Sequence, residues 1–218
     1  MKKFSLALLA MATALAISPA AMADTLNPVL TTSTSTIATI TSTSDYEGTL
    51  LGSVSDVQIS NTNGTIIGDY TEYAYSGGSL AVCSTCINFV ISLTNDSSST
   101  DTIDEITNSK FTGYTVQAGQ MGGTVAYADA YETASGTVNS NITLAPGETA
   151  DTLILFTNST TWGGGLLTFQ DGDVEAAQGL APAPEPSSLL LLGTGLLGLA
   201  FVAFRKAKPA RSAMNLSL

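Results

Sequence analysis

Ile87, Phe89, Ile91 and Leu93 alternate with Asn88, Val90, Ser92 and Thr94. In an extended chain this spacing puts every large apolar group on one face, whereas a helix would scatter them round its axis. Other segments repeat the message. Val138, Ser140, Ile142 and Leu144 alternate more weakly, Leu50–Ile59 is β-branched and alternating, and Tyr70–Tyr75 is aromatic-rich. Leu153-Ile154-Leu155-Phe156 is a continuous apolar run, as expected of a strand covered on both faces. Turn signals separate these pieces at Asn63-Gly64, Ser76-Gly77-Gly78, Asn95-Asp96-Ser97, Ala145-Pro146-Gly147 and Gly163-Gly164-Gly165. With almost no helical periodicity between residues 24 and 169, the expectation is an all-β body. It would be an antiparallel β-sandwich, Ig-like or jelly-roll-like, of roughly seven to nine strands. The Thr/Ser-rich stretch Leu30–Ser44 reads as an edge strand, with a disordered, glycosylated stalk as the alternative. Gln170–Ala183 turns acidic and then Ala/Pro-rich, and reads as a linker over residues 170–183.

The charge distribution excludes some functions. The chain has 7 Lys+Arg, 18 Asp+Glu and no His. Between Asp24 and Ala183 the only cation is Lys110, so a row of phosphates could not be neutralised and nucleic-acid binding is not expected. Without His the chain lacks the usual general base near neutral pH and the commonest metal ligand.

The remaining cations mark the two ends. Lys2 and Lys3 precede an apolar run, Phe4–Ile17, and Ala21-Met22-Ala23 supplies small residues before Asp24. This reads as a secretory signal peptide over residues 1–23, with expected cleavage between Ala23 and Asp24 and export through the Sec machinery, the alternative being an uncleaved N-terminal anchor. At the other end Pro184-Glu185-Pro186 precedes the apolar stretch Leu189–Phe204, and Arg205, Lys206, Lys208 and Arg211 follow as a stop-transfer cluster. With the two preceding serines, residues 187–204 approach a membrane-spanning length, and the basic residues would keep their side cytoplasmic. The body would then lie on the outer side, the side that the signal peptide also predicts.

Pro184-Glu185-Pro186, a Leu/Gly-rich helix and the basic cluster Arg205-Lys206, in that order, resemble the tripartite PEP-CTERM sorting signal, here over residues 184–208 and followed by a tail, 209–218. The resemblance implies export in a bacterium with an outer membrane and processing at or near the motif by the membrane enzyme exosortase. It also implies association with exopolysaccharide and biofilm. The family usually stops soon after the basic residues, whereas this chain continues to Leu218.

Few residues carry legible chemistry. Cys83-Ser84-Thr85-Cys86 opens a strand and faces an oxidising compartment, where a disulfide is the default. A redox role would need a thioredoxin-like setting, and two thiolates make only half of a tetrahedral metal site. Asp171, Asp173 and Glu175 alternate around Gly172 and are calcium candidates, although they lack the length and spacing of a twelve-residue calcium loop. Asp101, Asp104 and Glu105 form a similar acidic group. Trp162 beside three glycines, and Tyr70, Tyr73 and Tyr75, are candidates for stacking on sugar or for packing. No Ser-His-Asp or Cys-His arrangement is possible, and nothing around Lys110 marks a nucleophile turn. The expectation is a non-enzymatic surface or matrix protein without a cofactor. The alternatives are a carbohydrate- or calcium-binding adhesion module and a secreted glycoside hydrolase using paired carboxylates.

Overall fold

The computed structural model describes residues 29–171, 173–183 and 193–201. The chain divides into two units, Met1–Ala183 and Pro184–Leu218. Among the described residues the first unit holds eleven strands: β1 (Ala38–Thr39), β2 (Thr49–Ser60), β3 (Ile67–Ser76), β4 (Ile87–Asn95), β5 (Ile103–Asn108), β6 (Val116–Met121), β7 (Asp129–Glu132), β8 (Val138–Leu144), β9 (Thr152–Thr157), β10 (Trp162–Asp171) and β11 (Asp173–Pro182). They form a six-stranded sheet in the order β1-β6-β9-β4-β3-β2 and a five-stranded sheet in the order β11-β10-β5-β8-β7. Every pairing is antiparallel except the short parallel contact of β1 with β6. The all-β expectation holds, with more strands than the turn spacing suggested.

The main core lies between the sheets. Phe89, Ile91 and Leu93 of β4 and Leu153 and Leu155 of β9 meet Ile106, Leu167 and Phe169 of the other sheet. The rings of Tyr70 and Phe169 join the two layers at 5.4 Å between centroids. Phe111, in the loop after β5, sets its ring against Phe89 at 5.6 Å, edge to face.

A second cluster covers the outer face of the six-stranded sheet. Val90, Ile154 and Phe156 pack there against Ile40, Tyr46, Val82 and Cys86. The alternation in β4 therefore has two buried faces, because the loop between β3 and β4 folds back over the side expected to meet solvent. Asn88 anchors that loop, its Nδ2 donating to the carbonyls of Tyr46 and Gly77. The run Leu153–Phe156 is buried on both sides, as its unbroken apolarity required.

The Thr/Ser-rich segment takes the edge position. Leu30 N–H donates to Val116, Ser35 bridges Ala130 of β7, and Ile40 N–H donates to Gln120. The segment thus laces the same side of both sheets while burying Leu30 and Ile37. At the opposite edge β2 stays largely exposed. Its register breaks between Leu50 and Gly52 and between Val54 and Val57, where Asp56 has a φ of 52°. Such irregularities twist a free edge and discourage pairing with other chains.

Two expectations are corrected. The glycines at 163–165 make no turn; they lie inside β10, hydrogen-bonded to β11. Residues 170–183 are not a linker. They hold the end of β10 and all of β11, a ten-residue ladder running from Asp171 opposite Asp173 to Trp162 opposite Pro182. The sandwich therefore continues past residue 169 to Ala183.

In the second unit, residues 193–201 form a helix. Among the described residues no helix is long and apolar enough to cross a membrane, so the expected span 187–204 is not seen as such. The flanking residues of that span lie outside the described residues.

Candidate functional site

The C-terminal hairpin is tied to the sandwich at three levels. Among the described residues only one edge of β11 has a neighbouring strand, so the backbone groups on its other edge need other partners. Two come from the core-facing side of β3. Tyr70 donates its hydroxyl to the carbonyl of Gln178, and Glu72 accepts a hydrogen bond from Leu180 N–H at 2.7 Å. The residue between them must be small. A Cβ on Gly179 would lie 3.1 Å from Glu72 Oε2 and 3.1 Å from Leu167 N.

Glu72 is fully buried, and its second carboxylate oxygen has no hydrogen-bond partner among the described residues. Burial pushes its pKa up to about 8, and the Leu180 hydrogen bond offsets only part of that effect. The group is a structural strap between the layers, enclosed by protein rather than open to a substrate.

The far end of the hairpin carries a tighter fastening. Ala183 N–H donates to the carbonyl of Thr161 at 3.1 Å. Its own carbonyl accepts from Tyr114 Oη at 2.8 Å and from Thr161 Oγ1 at 2.6 Å. Thr161 is itself fixed, because Ser159 Oγ donates to its carbonyl at 2.7 Å and accepts from its N–H at 3.3 Å. Tyr114 sits in the loop between β5 and β6, and Thr161 in the connection from β9 to β10. Two unrelated loops thus converge on the residue that follows the last strand.

Trp162 lies beside this fastening. Its indole packs over Gly52 of β2, where a Cβ would come within 2.2 Å of the ring. The residue is 37% exposed, and its ring bridges the two sheets as packing. Tyr73 and Tyr75 pair at 5.8 Å on the outer face and pack against the second cluster, whereas Tyr70 lies in the main core.

Cys83 and Cys86 form a disulfide, as the compartment suggested. It staples the loop that covers Val90 and Phe156. The calcium candidates lie along the β10–β11 ladder, Asp171 paired in register with Asp173 and Glu175 with Phe169. Asp171 also meets Asp101 and Asp104. Hydrogen bonding to Asp101, with burial and the negative charges of Asp101 and Asp104, raises its pKa to about 6. Among the described residues no cluster of three or more His, Cys, Asp or Glu is arranged to hold a metal ion.

The expected sorting residues Pro184, Glu185 and Pro186, the stop-transfer residues Arg205, Lys206, Lys208 and Arg211, and the cleavage pair Ala23 and Asp24 lie outside the described residues. Sequence reasoning missed Glu72, Tyr114 and Thr161. Glu72 left a signal: it shares the parity of Tyr70 and Ala74, so an acid stood on the buried face of a strand. The other two left none, because only the tertiary fold brings them to Ala183.

Comparison with known families finds a match that begins at the fastening. The model of the PEP-CTERM protein-sorting motif matches residues 182–206. The match implies export, sorting to the cell surface and exosortase as the processing partner. Its first two residues, Pro182 and Ala183, are the last residues of the sandwich unit. No curated protein and no solved structure matches the chain.

Proposed function

We propose that the chain is a non-enzymatic surface or matrix protein, exported through the Sec machinery and held in the inner membrane by residues 187–204. Exosortase then processes it, and the acidic sandwich is delivered to the exopolysaccharide layer and the biofilm. The observation that carries this reading is the sorting motif, residues 182–206, at the C-terminal end of a two-sheet β-sandwich. Two further facts support it. The segment from Asp24 to Ala183 has one cation and no His, so it lacks the usual general base near neutral pH and cannot hold a Ser-His-Asp or Cys-His arrangement. Glu72, whose carboxyl pKa burial pushes up to about 8, is engaged in holding β11.

Fractionation of the native strain with and without its exosortase, with mass spectrometry of both mature ends, tests the reading. The expected surface form begins at Asp24 and lacks residues 205–218. An intact C-terminal tail on the final surface form overturns it.

A further inference from the structure

The sorting motif and the folded domain share residues. Ala181 and Pro182 are buried and paired with Gly163 and Trp162. The N–H and the carbonyl of Ala183 are both engaged, by Thr161 and Tyr114. Only then does Pro184 follow. Enzymes that act on peptide segments commonly bind them as extended strands, through the main-chain groups on either side of the recognised residues. Here the groups on the N-terminal side are already occupied by the substrate's own fold.

We propose that Tyr114 and Thr161 form a clamp on the upstream end of the sorting motif, and that the rate of processing by exosortase is set by release of Ala181–Ala183 from it. This rests on the exosortase reading above. Tyr114 and Thr161 are positioning residues; they act through the backbone of Ala183, with no part in the chemistry of processing. The clamp makes processing sensitive to the state of the sandwich. A chain whose hairpin is undocked offers a free motif, and one with β11 seated holds it back.

The test is pulse-chase of the full chain in its native strain, following loss of the C-terminal tail by mass spectrometry. Tyr114→Phe and Thr161→Val each remove one hydrogen bond to the Ala183 carbonyl. Each is expected to shorten the half-time of tail loss by about fivefold, with a larger effect in the double variant. Hydrogen exchange at the Ala183 amide should quicken by a similar factor. A third variant inserts six Gly/Ser residues between Ala183 and Pro184, which gives the enzyme slack and leaves the clamp intact. It should process fast whether or not Tyr114 and Thr161 are present.

Tail loss at the wild-type rate despite faster Ala183 exchange overturns the proposal. So does unchanged exchange in both single variants, or an insertion variant that processes no faster than the wild type. The underlying reading fails in a different way. It fails if replacing Pro184, Glu185 and Pro186 by Ala, or deleting the exosortase, leaves tail loss unaltered in every form.

Discussion

Glu72 and Leu180 are 108 positions apart in the chain, yet the carboxylate of one accepts the backbone N–H of the other at 2.7 Å inside the core. This bond and the neighbouring Tyr70–Gln178 bond satisfy two backbone groups of β11, one donor and one acceptor, from the β3 side. A strand that could have presented open donors and acceptors at the rim of the sheet is instead fastened to the layer beneath it.

The carboxyl should make stability fall with rising pH. Glu72 holds its proton to about pH 8 in the folded chain, against an ordinary value of 4.5 once unfolded. Its contribution is therefore complete below about pH 4.5 and is lost as the pH climbs through 8. The slope in that window is at most about 1.4 kcal/mol per pH unit. Glu72→Gln keeps an acceptor for Leu180 and abolishes the titration. Denaturant unfolding at pH 4, 6, 7 and 9 should show the variant within about 1 kcal/mol of wild type at pH 4 and more stable than wild type at pH 9. Parallel curves for the two proteins would contradict this assignment.

Gly179 gives the same strap a steric limit. Gly179→Ala places a methyl 3.1 Å from the Glu72 oxygen and 3.2 Å from Leu167 Cβ. The strand must lift or the carboxylate must move, at a cost of about 1–3 kcal/mol. The unfolding midpoint should drop accordingly. An unchanged midpoint would mean that β11 does not sit this close to β3.

Trp162 supplies an internal probe, since it is the single tryptophan of the chain. Gly52→Ala removes the space under its ring, where the nearest ring atom would be 2.2 Å from the new methyl. Because the indole is partly exposed, it should swing outward rather than force the strands apart. A red shift of tryptophan emission is expected, with a stability loss of about 1 kcal/mol. A blue shift would show that the ring moves inward instead.

The Cys83–Cys86 bond closes a very short ring, so removing it costs little chain entropy, about 2 kcal/mol. Its larger effect should be local. Cys83→Ser with Cys86→Ser frees the loop over Val90, Ile154 and Phe156. Binding of a hydrophobic dye to the folded protein should rise before global unfolding begins, and the same rise should follow reduction of the wild type. Dye binding that appears only with global unfolding would show that the loop is held without the bond.

The parts of the fold that were legible in sequence are those where side-chain period and burial coincide. Leu153–Phe156 is apolar without interruption because both of its faces are covered, and the Cys pair forms the bond its compartment favours. The strand Ile87–Asn95 was read with the right period but half the right burial, because nothing local announces that residues 77–86 fold over it. The hairpin β10–β11 was hidden for a different reason. Its glycines and alanines have the composition of a turn and a linker, whereas in three dimensions their smallness allows close approach. Gly179 approaches Glu72, and a Cβ on Gly165 would lie 2.8 Å from the Ala181 methyl. The fastening of Ala183 joins three distant segments, so no window of sequence contains it.

The same hairpin governs how the molecule would carry load. Any tension drawn through the segment beyond Ala183 enters the sandwich at one end of the β10–β11 ladder, where Trp162 faces Pro182. The bonds of Ala183 to Thr161 and Tyr114 bear it first, before any rung of the sheet. They act as a mechanical fuse: a pull from that end must break them before it can begin to peel the sheet from its margin.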